Sequence, residues 1–161
     1  MICYLGIGSN IEDRILNLNQ SINLISEDIA IDFLEVSDFY ESPPMYNLDL
    51  NEFLNGVIKI STSYTPFQLL DKVKEIESKM GREESVERYE NRIIDIDILC
   101  CGHEIVSSKN LIVPHPNIKE RKFVLEPWCD IDSSYIIANE NRNVKELLAM
   151  LPDSLKLKRV N

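Results

Sequence analysis

Near the middle of the chain isoleucine alternates with aspartate: Ile94, Ile96 and Ile98 are separated by Asp95 and Asp97. Period-two alternation describes a strand with one apolar face and one polar face. The segment Arg92 to Cys101 therefore reads as a strand that carries two carboxylates side by side, their Cα atoms about 6.5–7 Å apart. Any fold for this chain has to bury the isoleucines and find a use, or a solvent, for the acids.

The segments around it supply the partners. Ile2 to Gly8 is short, apolar and ended by glycine, which predicts a first strand. Ser9-Asn10-Ile11-Glu12 has a capping-box pattern, and Ile11, Ile15, Leu18, Ile22 and Ile25 then recur at helical spacing, predicting a helix to about Asp28. Ile31 to Tyr40 is a second strand whose alternation breaks around Phe33-Leu34, as at a bulge, before the loop Ser42-Pro43-Pro44. Glu52 to Ser61 is a third strand. Thr65-Pro66 with Gln68 opens a second helix, whose stripe is Leu69, Val73, Ile76 and Met80 and whose terminator is Gly81. Arg82 to Asn91 is polar and without period, and is expected to be a mobile loop. Beyond the fourth strand come a turn at Pro114-His115-Pro116, a segment Arg121 to Leu125, and an amphipathic helix near Asn143 to Leu151.

This order, βαββαβ, predicts an α+β fold with a ferredoxin-like core and an antiparallel sheet. In that topology the first strand is central, between the third and fourth. Its carboxyl end then lies beside the amino ends of both. Cys3, Leu5 and Ile7 share a face with Leu54, Ile58, Ile60, Ile94, Ile96 and Ile98, which the two helices can cover. The opposite face is left with Gly6, Gly8, Phe53, Asn55, Asp95 and Asp97, an inventory that suits a site better than a core.

Composition narrows the functions. The chain has 161 residues, close to the size of one domain, and no repeat or linker divides it, so residues 1–161 are read as a single domain. Its formal net charge of −10 repels nucleic acid and anionic membranes. Cys3, Cys100, Cys101 and Cys129 form no C-x-x-C pair, and the adjacent two would point to opposite sides of a strand. They read as small buried residues in a reducing cytoplasm. No signal peptide or membrane-spanning run is expected from the sequence.

Several residues admit two readings. Asp95 and Asp97 are either a polar strand face in an acidic protein or oxygen ligands for magnesium, with substrate phosphates completing the octahedron. Arg82, Arg88 and Arg92, set among glutamates, are either a self-paired surface loop or a lid whose guanidinium forks close on phosphates. His115 is either a turn residue or, near Lys119 and Arg121, part of a cationic rim. Phe53 and Phe123 are core aromatics or a platform for a flat heterocycle, whose edge the amide of Asn55 would read. Gly6-Ile7-Gly8 lacks the third glycine of a dinucleotide fingerprint, and there is no Walker A sequence.

Seven segments in order resemble the family of 6-hydroxymethyl-7,8-dihydropterin pyrophosphokinases of folate biosynthesis. They are Leu5 to Asn10, Phe39 to Pro44, Phe53-Leu54-Asn55, Gly81-Arg82, Arg92 to Leu99, Val113 to Pro116, and Arg121 to Pro127. The resemblance implies a three-layer α-β-α arrangement, with the C-terminal part over the second sheet face. It implies an ATP-dependent transferase that moves pyrophosphate onto the pterin's hydroxymethyl oxygen and releases AMP. Two magnesium ions would be held by Asp95 and Asp97. Arg82 and Arg92 would stabilise the transferring group. Glu77, Arg88, Ile98, His115 and Arg121 would join them on ATP. Phe53 and Phe123 would sandwich the pterin, with Gly8, Asn55 and the backbone of Ser42, Pro43, Pro44 and Met45 around it. Glu90-Asn91 stands where the family usually has Gly-Pro, Tyr89 where tryptophan is frequent, and Glu84 where arginine is frequent; all touch the lid. The chain is expected to act as a cytoplasmic monomer on small molecules. A ligand-binding regulatory module of the same fold, or a metal-dependent phosphohydrolase, are the rival readings.

Overall fold

The computed structural model describes residues 1–45, 49–82 and 90–160. In chain order the elements are β1 (Ile2–Ser9), α1 (Arg14–Ser26), β2 (Ile31–Val36), β3 (Phe39–Ser42), β4 (Phe53–Thr62), α2 (Pro66–Lys79) and β5 (Asp95–Cys101). There follow β6 (Val106–Ser107), β7 (Ile112–Val113), a 3-10 turn (Ile118–Glu120), α3 (Lys122–Asp132), β8 (Ile136–Ile137), β9 (Arg142–Asn143), α4 (Val144–Ala149) and β10 (Lys158–Val160). The main sheet runs β10-β3-β4-β1-β5, with β2 also on β4, and each pairing in it is antiparallel. β1 is thus flanked by β4 and β5, as the ferredoxin-like order requires.

Two cores sandwich this sheet. On one side Leu5, Ile7, Ile58, Ile60, Ile96 and Ile98 pack with Leu18 and Ile25 of α1 and Leu69, Val73 and Ile76 of α2. On the other, Tyr4, Val57, Leu99 and Cys100 pack with Leu125 and Trp128 of α3 and Leu147 of α4. The α-β-α layering is therefore present. Register slips by one residue between Tyr4↔Cys100 and Leu5↔Ile98, so Leu99 is the extra residue of a bulge. That bulge lets Leu99 and Cys100 both serve the second core while Cys101 returns to the first.

The second helix matches its sequence signals. Thr65 accepts from Gln68 N, Gln68 returns the bond, and Gly81 adopts φ +89° just past the helix. The first helix differs. Its N-cap is Asp13, whose carboxylate accepts from Leu16 N at 3.0 Å, and not the Ser9–Glu12 pattern. Ser9 is instead the last residue of β1, and its hydroxyl accepts from Asn17 Nδ2 at 3.1 Å. Consequently Ile15 points outward, 46% exposed, and Asn17 takes a buried place.

The second strand is really two. The expected irregularity lies between Phe33 and Glu35, but a further break falls at Ser37, whose hydroxyl accepts from Val57 N at 2.9 Å. After the break β3 runs on to Ser42, opposite Phe53. The fourth strand starts at Asp95 and not at Arg92. Arg121 to Leu125, read only as a segment, opens the eleven-residue helix α3. Most of the Arg82–Asn91 loop, Arg88, Glu84 and Tyr89 included, lies outside the described residues. Among the described residues no helix is long and apolar enough to cross a membrane.

Candidate active site

The carboxyl end of β1 is the floor of a cleft of about 440 Å³. Gly8 is the register partner of Asn55 on one side and of Asp95 on the other. A side chain there would fill the space between them: a Cβ on Gly8 would lie 2.9 Å from Asn55 Oδ1. Asn55 is only 7% exposed, and its Nδ2 donates to Ser42 Oγ at 2.8 Å. That bond uses one amide hydrogen and leaves the carbonyl and the second hydrogen for a ligand. Pro43, Pro44, Met45, Phe53 and Phe123 also line the cleft, the Phe123 ring lying 5.7 Å from the Arg121 guanidinium.

The other end is charged. Asp95 Oδ1 accepts from Arg82 at 2.7 Å and is paired with Arg92 at 3.2 Å. Asp97 Oδ2 accepts from Arg121 at 2.9 Å, and His115 Nε2 stands 3.9 Å away. Burial and the neighbouring Asp97 push the Asp95 carboxyl up, against the pull of Arg82 and Arg92. Beneath them Glu77, on α2, is 9% exposed; it accepts from Ile96 N at 2.7 Å and pairs with Arg82. Burial raises its carboxyl to about 7 despite Arg82 and that amide. In His115, burial lowers the imidazole pKa, only partly offset by Asp97. Its Nδ1 accepts from Asn117 N at 3.2 Å, so the neutral ring carries its proton on Nε2, towards the acids.

The cleft brings together Gly8, Ser42, Pro43, Pro44, Met45, Phe53, Asn55, Arg92, Asp95, Asp97, His115, Arg121 and Phe123 from the expected site, and Gly6 and Glu90 line it as well. Glu77 and Arg82 do not line it, but reach it through Asp95 and the amide of Ile96. Ile98 does not: its side chain is buried in the core under α1 and α2. Arg88 is outside the described residues. Leu50 and Asn117 also line the cleft, and nothing in the sequence pattern marked them. Among the described residues no cluster of three or more His, Cys, Asp or Glu could hold a metal unaided. Two carboxylates on one strand face are nonetheless a hard-oxygen donor pair, suited to a dication whose other ligands come from water and phosphate.

Residues 4–133 match the family model described as 7,8-dihydro-6-hydroxymethylpterin-pyrophosphokinase. The chain is 41% identical over 130 residues to a 2-amino-4-hydroxy-6-hydroxymethyldihydropteridine pyrophosphokinase of Bacillus subtilis, covering 81% of this chain and 77% of that protein. It is 32% identical over 155 residues to the protein of the same description from Haemophilus influenzae, covering 96% of each. Its fold is similar to the crystal structure of Plasmodium falciparum HPPK-DHPS wild type with pteroate, with a TM-score of 0.75 at 16% identity. That match covers 92% of this chain but spans only 42% of the longer one.

Proposed function

The chain belongs to the 7,8-dihydro-6-hydroxymethylpterin-pyrophosphokinase family, and from that membership we propose how its cleft divides the work. The reaction is transfer of pyrophosphate from ATP to the hydroxymethyl group of the dihydropterin, leaving AMP, in folate biosynthesis. The apolar end of the cleft takes the pterin. Phe53 and Phe123 flank the ring, Asn55 reads its edge with the atoms Ser42 does not use, and Gly8 leaves room for close approach. The backbone of Ser42 to Met45 closes that end.

The charged end takes the triphosphate. Asp95 and Asp97 would hold two magnesium ions, and the hard-oxygen pair they present supports this. Magnesium, when bound there, supplies neutralisation of phosphate charge and acidification of the substrate alcohol. Arg92 lines the cleft and Arg82 reaches it through Asp95; both are assigned to the oxygens of the transferring group, whose spread charge in the transition state their forked donors suit. Glu77 sets the direction of Arg82 and of the Ile96 amide. His115 donates from Nε2 without adding charge, and Arg121 lies beside it on the ATP phosphates. Ile98 is left out of this assignment because the helix-side core encloses it. We place residues 1–161 in one domain that works as a monomer; the four free cysteines support a cytoplasmic location.

The observation that carries the reading is the position of Gly8 between Asn55 and Asp95. It sets a flat-ring pocket against a phosphate pocket, with one strand position between them. The test is ATP and magnesium incubated with the protein, with and without the hydroxymethyl dihydropterin. AMP and pterin diphosphate should form only when everything is present. AMP or phosphate without pterin would make the protein a phosphohydrolase, and no consumption of ATP would make it a binding module.

A further inference from the structure

Asn10 is 2% exposed and sits where three segments converge. Its backbone N–H donates to Arg92 O at 3.1 Å and its Oδ1 accepts from Arg92 N at 2.6 Å. Through these bonds the approach to β5 is pinned to the end of β1. Its Nδ2 donates to Asn91 Oδ1 at 2.8 Å and, more weakly, to Asn51 O at 3.3 Å. Asn91 Oδ1 is used twice, because it also accepts from Asn51 N at 3.3 Å. One carboxamide oxygen therefore joins the chain that leads to Arg92 and Asp95 to the chain that leads to Phe53 and Asn55.

We propose that Asn91 is a positioning residue for the pterin half of the site, acting through the segment 49–51. Leu50, within that segment, lines the cleft, and Phe53 follows two residues after Asn51. Arg92 needs Asn91 less: its carbonyl is held by the Asn10 backbone N–H, and the Asn10 carboxamide that accepts from its N–H keeps a bond to Asn51 O when the Asn91 oxygen is lost. Removing the Asn91 carbonyl thus loosens the pterin wall and leaves the phosphate end in place. The role belongs to the acceptor oxygen alone, so aspartate, which keeps that oxygen, can perform it.

The inference rests on the pyrophosphokinase reading, but its test separates the two: turnover of the unsubstituted protein tests the reading, and the variants test Asn91. Asn91→Leu should raise the pterin KM about fivefold, the factor that one net hydrogen bond carries. The ATP KM should stay within about twofold. The Asn51 amide should exchange faster with solvent in Asn91→Leu, measured on the full chain without ligands, and Asn91→Asp should restore both the pterin KM and the protection. An unchanged pterin KM in Asn91→Leu, equal loss for ATP and pterin, or an Asn91→Asp variant as impaired as Asn91→Leu would each overturn the assignment. Unchanged Asn51 exchange in a folded Asn91→Leu protein would do the same.

Discussion

Gly8→Ala puts one methyl group where the structure leaves none. The new Cβ would lie 2.9 Å from Asn55 Oδ1 and 3.7 Å from Phe53 Cδ1, while ordinary contact begins near 3.4 Å. Asn55 must therefore retreat by about 0.5 Å, the difference between 3.4 and 2.9 Å. It cannot do so freely, because its amide is anchored to Ser42 Oγ at 2.8 Å and the pair is buried. Either that bond stretches or the amide turns, and in both cases the group that reads the pterin edge is misaligned. Disturbing one buried hydrogen bond costs about 1–3 kcal/mol, which corresponds to a pterin affinity about 5- to 150-fold weaker. Pterin and an ATP analogue would be titrated separately by calorimetry, with a urea midpoint to confirm folding. ATP-analogue affinity should hold within about twofold, since the arginines approach from the other side of Gly8. A folded Gly8→Ala protein that binds pterin as well as the original would refute the placement of Asn55 in the pocket.

Other outcomes follow from the same geometry. Asp97→Ala should lower turnover by about two orders of magnitude or more, read as AMP release, because it removes half of the proposed metal-binding pair; its circular dichroism should remain that of the native fold. Glu77 gives the protein a stability that depends on pH. Its carboxyl rises from 4.5 to about 7 on folding, so between those values the folded state holds more protons than the unfolded one. Stability is then full below pH 4.5 and falls as pH rises through about 7, by up to about 3 kcal/mol from this group. Denaturant midpoints at a series of pH values should show that decline, and Glu77→Gln should flatten it; an unchanged slope in the variant would exclude Glu77 as its source. Thr65→Ala removes the capping hydroxyl of α2 and should cost about 1 kcal/mol of stability with turnover unchanged, measured by thermal unfolding and by AMP release.

Much of the site was legible because strand parity is strict. Once Ile94, Ile96 and Ile98 are assigned inward, Asp95 and Asp97 must face the other way, and the same argument places Gly8, Phe53 and Asn55 beside them. Thr65, Pro66, Gln68 and Gly81 mark their helix because capping chemistry is local. Legibility failed where a side chain's partner is distant in sequence. Ser9 and Asn10 look like a helix cap, but both are claimed elsewhere, by Asn17 and by the backbone of Arg92, and Asp13 caps instead. Ser37 breaks the second strand by accepting from Val57, twenty residues away. Helix α3 was hidden in part by Pro127, which stands within it.

From its residues alone this chain determined which strand faces are apolar, where its second helix begins and ends, and that two acids share an open strand face. Those depend on neighbours a few positions apart, whose spacing the covalent chain sets. Only the tertiary structure decided that Asp95 is paired with Arg82 and Arg92, that Asp97 is paired with Arg121, that Glu77 lies buried under the amide of Ile96, and that Asn10 joins three loops. Each of those contacts brings together groups on separate elements, and its strength depends on a distance and a degree of burial that no local pattern encodes.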